Sequence, residues 1–237
     1  MRMNCRDSAL KDQKQRQGSS TRSVFEVIKN RRSVRRFNPK DVENEKLGLI
    51  LESGRLAPSS SNSQTWRFIV VRCKKTIMRL AEAVPFGPRS INTWMETSPL
   101  IIAVCARPDP ILHRMGQIVD KDYHRIDAAI AVDHMVLTAA DLGIDSCIVG
   151  WFSRRKARRI LQLPPSMEVV LLLVLGYGHE DGVRPRRRRK RLEDIVSFES
   201  YGKTRPLQEL FSAATQQEGQ TPLDNRRQQN GGDDRFF

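Results

Sequence analysis

Asp122-Tyr123-His124-Arg125-Ile126-Asp127-Ala128-Ala129-Ile130-Ala131-Val132-Asp133-His134-Met135-Val136-Leu137-Thr138-Ala139-Ala140-Asp141-Leu142-Gly143 is the stretch on which the fold turns. Most of its positions are apolar, and Asp127, Asp133, His134, Thr138 and Asp141 fall largely on one narrow stripe of a helix. Most of that helix's circumference is therefore expected to be buried. Gly143 is its natural C-terminal cap. Downstream, Cys147–Val149 reads as a short strand, and Ser153 caps a helix through Leu161 that ends before Pro164-Pro165. Val169–Leu175 is an all-apolar strand, of the kind found in a sheet covered on both faces. Upstream, Leu100–Ala106 and Trp66–Val71 read as strands, with helical spacing over Lys75–Val84. A helix from about Asn44 is stopped by Pro58, and Ser23 with Glu26 has the capping-box spacing that opens an earlier one. Strands separated by helices throughout predict an α/β or α+β layered fold.

The ends are different. Residues 1–22 read as a flexible basic arm, and residues 204–237 as a disordered polar tail rich in Gln, Gly and Asp. The chain has 237 residues, 41 basic and 27 acidic, for a formal net charge of +14. Its longest apolar runs, Leu100–Ala106 and Val169–Leu175, are seven residues each, against roughly 20 needed to span a bilayer. Membrane insertion is therefore not expected, and the polar N-terminus offers no secretory signal. Cys5, Cys73, Cys105 and Cys147 lie far apart, which supports neither a disulfide framework nor a zinc knuckle. The expectation is a soluble, cytoplasmic protein.

The positive charge is clustered, with five basic residues in Lys29–Arg36, five in Arg154–Arg159 and seven in Arg184–Arg191. Such runs suggest an anionic partner, nucleic acid or a phosphate-bearing small molecule, or else a solvated face. Aromatic residues make up only 6% of the chain and none interleave with the runs, which argues against nucleic acid. No nucleophile elbow, Walker loop or H-E-x-x-H motif is present, and His113, His124, His134 and His179 lack ligand spacing. No metal site is expected. His134 reads as a core or interface residue, and Cys105 and Cys147 as packing.

Four segments remain. Arg31-Arg32-Ser33-Val34-Arg35 can grip a phosphate with forked guanidinium donors, or simply complement its own helix end. Ala57-Pro58-Ser59-Ser60-Ser61-Asn62-Ser63-Gln64-Thr65-Trp66 is dense in small hydroxyls and amides, suited to the edge of a heterocycle or to an ordinary polar turn. Cys147-Ile148-Val149-Gly150-Trp151 ends a strand at a glycine, where backbone can approach a ligand closely. Arg186–Arg189 follows the last long strand.

In order and spacing these segments resemble the FMN-dependent nitroreductase family. The resemblance is carried by R-R-S-V-R-x-F at Arg31–Phe37 and A-P-S-S-x-N-x-Q-x-W at Ala57–Trp66. Ser98-Pro99-Leu100-Ile101-Ile102, the long helix from Asp127, Leu142–Gly150, Leu175-Gly176-Tyr177-Gly178 and the arginines before Leu192-Glu193-Asp194-Ile195-Val196 support it. It covers residues 23–203, which would form one FMN-binding domain. It implies an α+β, three-layer fold: a central mixed sheet of four or five strands flanked by helices. It also implies a homodimer formed through the long helix, with two FMN sites at the interface. By position, Arg31, Arg32, Ser33 and Arg35 would contact FMN, and Pro58, Ser59, Ser60 and Asn62 would come from the partner subunit with Gln64 nearby. Val149 and Gly150 would lie against the flavin, and Arg187 and Arg189 would reach its phosphate. Thr65 stands where the family usually has Pro. Asp145-Ser146 replaces the commoner Gly-Thr and puts negative charge near the expected flavin.

The implied activity is a ping-pong oxidoreductase that uses NADH or NADPH to reduce a small organic acceptor such as a nitroaromatic or quinone. FMN carries the chemistry, and Arg35 serves as electrostatic stabiliser. No catalytic side chain is required. Residues 109–122 are expected to form the lid that selects the acceptor. Two alternatives stand beside this reading: the same fold with flavin-fragmenting or dehalogenating chemistry, and a basic, non-catalytic nucleic-acid-binding protein using Arg154–Arg159 and Arg184–Arg191.

Overall fold

The structure, a computed structural model, describes residues 23–83, 91–107, 122–179 and 188–205. The arm over 1–22, the lid up to residue 121, Val84, Arg187 and the tail from residue 206 lie outside the described residues. The chain divides into two compact units, Met1–Pro185 and Arg186–Phe237.

The first unit runs α1 (Val24–Asn30), α2 (Asn44–Arg55), β1 (Trp66–Val71), α3 (Lys74–Ala81), β2 (Leu100–Ala106), α4 (Tyr123–Asp141), β3 (Asp145–Val149), α5 (Arg154–Ile160) and β4 (Glu168–Gly176). The two serines read as caps both act as caps. Ser23 Oγ accepts from Glu26 N at 3.2 Å, and Ser153 Oγ accepts from Lys156 N at 3.4 Å. Gly143, at φ +73°, takes the left-handed turn after α4 that a side chain would strain.

The four strands form one sheet in the order β1-β2-β4-β3, and all three pairings are antiparallel. This corrects the expected mixed sheet. Among the described residues, the one parallel pairing is an isolated bridge between Ser33 and Ser146. The reason is the length of what covers the edge. The segment after α1 touches β3 at a single point instead of running beside it as a strand.

Every residue of β2 is completely buried, because helices cover both faces of the sheet. Leu100, Ile102, Val104 and Ala106 face α2 and α4, while Ile101, Ala103 and Cys105 face α3 and α5. Burial of this kind contributes about 1.5–3 kcal/mol per large aliphatic side chain. It also pushes the Cys105 thiol up to about 12, so this cysteine packs as a hydrophobe. A register shift at Val104/Cys105 leaves Val170 without a partner, which puts Val169 and Leu172 on one face and Val170 and Leu173 on the other. The layers are thus helix, sheet and helix, as the resemblance implied.

Helix α4 departs from its sequence reading in one respect. Its core face is His124, Asp127, Ala128, Ala131, Val132, Met135, Val136 and Ala139. The other face leaves Ile126 48% exposed, with Ala129 and Asp133 also open to solvent. One chain therefore buries about half of the helix, and Asp127 lies on the buried side instead of on a solvent stripe. Gly54 of α2 lets α2 and α4 approach closely, since a Cβ there would collide with Met135 Cε. Among the described residues, no helix is long and apolar enough to cross a membrane.

Among its described residues, the second unit forms a 3-10 turn over Leu192–Asp194, in which Arg191 N donates to Asp194 Oδ2 at 3.2 Å.

Candidate functional site

The Arg31–Phe37 segment is pinned at both ends. Its start is tied to β3, where Val34 N donates to Ser146 O at 3.0 Å. Its end bridges from Phe37 to Gly178, and Asn38 N donates to Tyr177 O at 2.7 Å. Val34 and Phe37 are buried at 4% exposure each, so the intervening polar side chains face outward. Arg31 and Arg32 line a cavity with Asn30, Gly143, Asp145 and Ser146. The Arg35 guanidinium lies 5.7 Å from the Trp94 ring centroid, a cation–π contact that fixes its direction. Burial pushes the Cys147 thiol up, while the charges of Arg35 and Arg31 oppose that shift, so both guanidiniums bear on the middle of β3. Among the described residues, neither Arg31 nor Arg35 has a carboxylate partner.

Asp145, the unexpected acid, is already engaged. Its Oδ2 accepts from Gly178 N at 2.9 Å, tying the start of β3 to the turn after β4. The same corner is braced by Tyr177, whose hydroxyl donates to Glu43 Oε2 at 2.5 Å and accepts from Lys46 Nζ at 2.9 Å. That bond is the main reason the Glu43 carboxyl drops to about 2.

Further along β3, Val149 is buried and Gly150 is exposed. A Cβ on Gly150 would meet only Leu171 Cδ2, at 3.7 Å, and its φ is not in the left-handed range. Neither the local fold nor its packing requires glycine there.

The loop before β1 is tightly wound. Ser60–Asn62 forms a 3-10 turn, with Ser61, Asn62 and Gln64 at φ 51°, 54° and 45°. Non-glycine residues in this region cost on the order of 1–3 kcal/mol unless neighbours enforce them. Here Asp127, only 2% exposed, is the enforcer. Its carboxylate accepts from Ser60 N at 3.2 Å and from Ser60 Oγ at 3.0 Å. Ser59 Oγ accepts from Gln64 N at 3.1 Å, and Gln64 Nε2 donates to Asn62 Oδ1 at 3.0 Å. Pro58, Asn62 and Gln64 are exposed. Among the described residues, Ser63 Oγ and Thr65 Oγ1 are buried side-chain oxygens with no hydrogen-bond partner.

Sheet register shows how far apart these groups are. Ser33 pairs with Ser146, which is level with Leu175 of β4, whereas Trp66 is level with Ala106 and Glu168. From the Ser33 position to β1 is four strand spacings across, and from Leu175 to Glu168 is seven residues along. At ~4.8 Å and ~3.3 Å respectively, the two corners are about 30 Å apart. Arg31, Arg32, Ser33, Arg35, Val149 and Gly150 therefore gather along the β3 edge of the sheet. Pro58, Ser59, Ser60, Asn62 and Gln64 sit at the opposite corner, and one chain does not bring the two groups together. Arg189 is an exposed residue of the second unit.

Three functional contacts escaped the sequence reading: Asp127 as the anchor of Ser60, Asp145 as the cap of Gly178, and the Tyr177–Glu43–Lys46 brace. Asp127 had a signal, since an acid among otherwise buried helix positions must find a donor.

Comparison with known proteins agrees with this architecture. The profile of the nitroreductase family matches residues 28–177. A protein of Archaeoglobus fulgidus, provisionally named NADH dehydrogenase/NAD(P)H nitroreductase, is 31% identical over 161 residues, covering 66% of this chain and 86% of its own. A nitroreductase family protein from Clostridium difficile 630 has a crystal structure that superposes with a TM-score of 0.63 at 32% identity, over 76% of this chain and 99% of that one. An FMN-dependent nitroreductase from Clostridium difficile R20291 superposes with a TM-score of 0.61 at 27% identity, over 74% and 98%. With the matched segment spanning the whole sheet and both of its candidate corners, the chain belongs to the nitroreductase family.

Proposed function

We propose that two copies of this chain pair through the exposed face of α4, and that each of the two resulting sites holds FMN between the β3 edge of one copy and the Pro58–Gln64 loop of the other. The observation that carries this reading is the separation of about 30 Å between the Ser33 corner of the β3 edge and the corner that holds the Pro58–Gln64 loop, which a second copy can bridge. Ile126, exposed on α4, and Val24, Phe25 and Ile28 of α1, exposed at 71%, 73% and 50%, supply the apolar surface such pairing needs.

The donor set suits FMN. Arg31 and Arg35 are guanidiniums with no carboxylate of their own among the described residues, as a dianionic phosphate and an electron-rich ring edge require. Gly150 leaves open backbone that nothing in its own chain fills. The orphaned hydroxyls of Ser63 and Thr65 lie in the loop that would face the ring.

FMN so held would supply two-electron chemistry, taking reducing equivalents from NADH or NADPH and passing them to a small organic acceptor such as a nitroaromatic or quinone. The protein's own contribution is binding and electrostatics. Arg31, with Arg32 and Ser33, neutralises and orients the phosphate end. Arg35, aimed by Trp94, fixes positive charge where anionic character develops. Ser59, Ser60, Asn62 and Gln64, stiffened by Asp127, offer fixed donors and acceptors to a heterocycle edge. Reductant and acceptor would use the same open face in turn, which predicts ping-pong kinetics.

The test is direct. The purified full chain should be yellow, contain FMN, sediment as a dimer and bleach on anaerobic addition of NADH or NADPH. A colourless monomer that takes up no added FMN would overturn the proposal.

A further inference from the structure

Helix α5 is built almost entirely of cations. Five of its seven residues are basic, none is acidic, and Arg154/Arg158 and Arg155/Arg159 are like-charged pairs one turn apart, an arrangement that opposes helix formation. Only Ala157 and Ile160 serve the core. The proposed cofactor site uses none of this charge.

The helix lines a cavity of about 420 Å³ where the starts of α4, α5 and β4 meet, with His124, Arg125, Arg154, Arg155, Arg158 and Glu168 around it. Its floor is constructed. His124 is 6% exposed, and its Nε2 lies 2.9 Å from Glu168 Oε1. Arg125 donates to the two oxygens of Glu168 at 2.7 and 3.1 Å and to Asp122 at 2.6 Å. Burial pushes the Glu168 carboxyl up, and the bonds from Arg125 and His124 more than reverse this, so it stays ionised at neutral pH.

Both nearby carboxylates are thus taken up by Arg125, with Arg154 at 3.5 Å from Glu168 as a weaker partner. Arg155 and Arg158 have no carboxylate among the described residues, and Arg158 makes one long bond of 3.4 Å, to the Pro165 carbonyl. Four guanidiniums face two carboxylates, an excess of two positive charges in a concave, partly desolvated place. Forked donors with a two-charge excess match a dianionic oxyanion.

We propose that this cavity binds a phosphomonoester. The position of the cavity suggests one source. Glu168 is three residues along β4 from Leu171, the residue beneath Gly150, or about 10 Å. NADPH whose nicotinamide is oxidised at the Gly150 end can reach it, which makes its 2′-phosphate the group that this cavity holds. That assignment rests on the function proposed above, whereas the phosphate site itself does not. The other source is a free phosphomonoester.

The experiment is isothermal titration of the full-length protein with inorganic phosphate, 2′,5′-ADP, NADPH and NADH. Phosphate and 2′,5′-ADP should bind the wild type. Arg155→Ser and Arg158→Ser should each weaken them roughly tenfold, the value of one lost charge-assisted bond. Arg159→Ser removes the same charge from the same helix outside the cavity and should leave binding intact, and Arg155→Lys should restore part of it. Melting temperatures establish that each variant is folded. If 2′,5′-ADP competes with NADPH and Arg155→Ser erases a preference for NADPH over NADH, the source is the reductant. If phosphate binding is lost while that preference is unmoved, the source is a free phosphomonoester. Absence of binding to the wild type, or equal losses for Arg159→Ser and Arg155→Ser, would overturn the site. A protein without flavin would still report on it through the phosphate and 2′,5′-ADP arms.

Discussion

Replacing Asp127 should soften the loop at the opposite corner of the sheet from the arginines. Its carboxylate, 2% exposed, accepts from the Ser60 amide at 3.2 Å and from the Ser60 hydroxyl at 3.0 Å. Hydrogen bonds to a charged acceptor contribute about 1.5–3 kcal/mol each. Asp127→Ala removes both and strands two donors, but it also relieves a buried charge, so a net loss of about 3 kcal/mol is expected. For a unit of this size that corresponds to a fall in Tm of roughly 6–12 °C. Asp127→Asn keeps one acceptor oxygen and should lose about half as much. Ser60→Ala removes only the hydroxyl bond and should cost about 1.5 kcal/mol, the lower end of that range. Urea unfolding of the three variants, and of the Asp127→Ala/Ser60→Ala pair, gives the order and the coupling energy. Without its anchor the loop should relax from the left-handed values at Ser61 and Asn62, so FMN affinity should fall together with stability. Stability of Asp127→Ala within about 0.5 kcal/mol of wild type, or no coupling to Ser60, would refute the anchoring role.

Arg35→Ala should weaken FMN binding by roughly tenfold to a hundredfold, since it removes a charge-assisted contact of about 1.5–3 kcal/mol; fluorescence titration of the apoprotein measures it. Gly150→Ala should leave the melting temperature unchanged, because the added Cβ meets only Leu171 at 3.7 Å, yet it should lower FMN affinity, and equal affinity would show that nothing approaches that backbone. Glu43, held at about 2 chiefly by the Tyr177 hydroxyl, has a depressed folded-state pKa, so its contribution is complete above its ordinary value of 4.5 and disappears as pH falls towards 2. Glu43→Gln should therefore flatten the acid limb of a stability–pH curve over that window and leave the neutral plateau lower.

Periodicity made most of the fold legible. The two seven-residue apolar runs could only be central strands, and they are β2 and most of β4. The boundaries set by Ser23, Ser153 and Gly143 hold because caps act within a few residues of the groups they satisfy. Strand direction was not legible, since a helix between two apolar runs permits either sense. The sheet came out antiparallel where a mixed one was expected. The site was legible as segments but not as geometry. R-R-S-V-R and P-S-S-x-N announce polar, anion-seeking loops, yet only the strand register shows that they occupy opposite corners. Asp145 reads as an unwelcome charge beside a flavin until its bond to Gly178 N is seen. The left-handed angles of Ser61, Asn62 and Gln64 are equally invisible, because they are imposed by Asp127, more than sixty residues downstream.

That division of the site has a thermodynamic consequence. A ligand that needs the β3 edge of one copy and the Pro58–Gln64 loop of another binds only the associated form, so its binding and dimer association are linked. FMN must then tighten the dimer by the same factor by which association tightens FMN. On dilution below the dissociation constant of the apo-dimer, apparent FMN affinity should fall with protein concentration. Ala129→Glu, which places charge on the exposed face of α4 at a position not proposed to meet FMN, should reproduce the loss at high concentration. Sedimentation and FMN titration on the same dilution series test the linkage. If affinity stays constant while the particle goes from two copies to one, each chain must complete its own pocket. The separation of its two corners would then have to close by a rearrangement that the register of β1 to β4 does not permit.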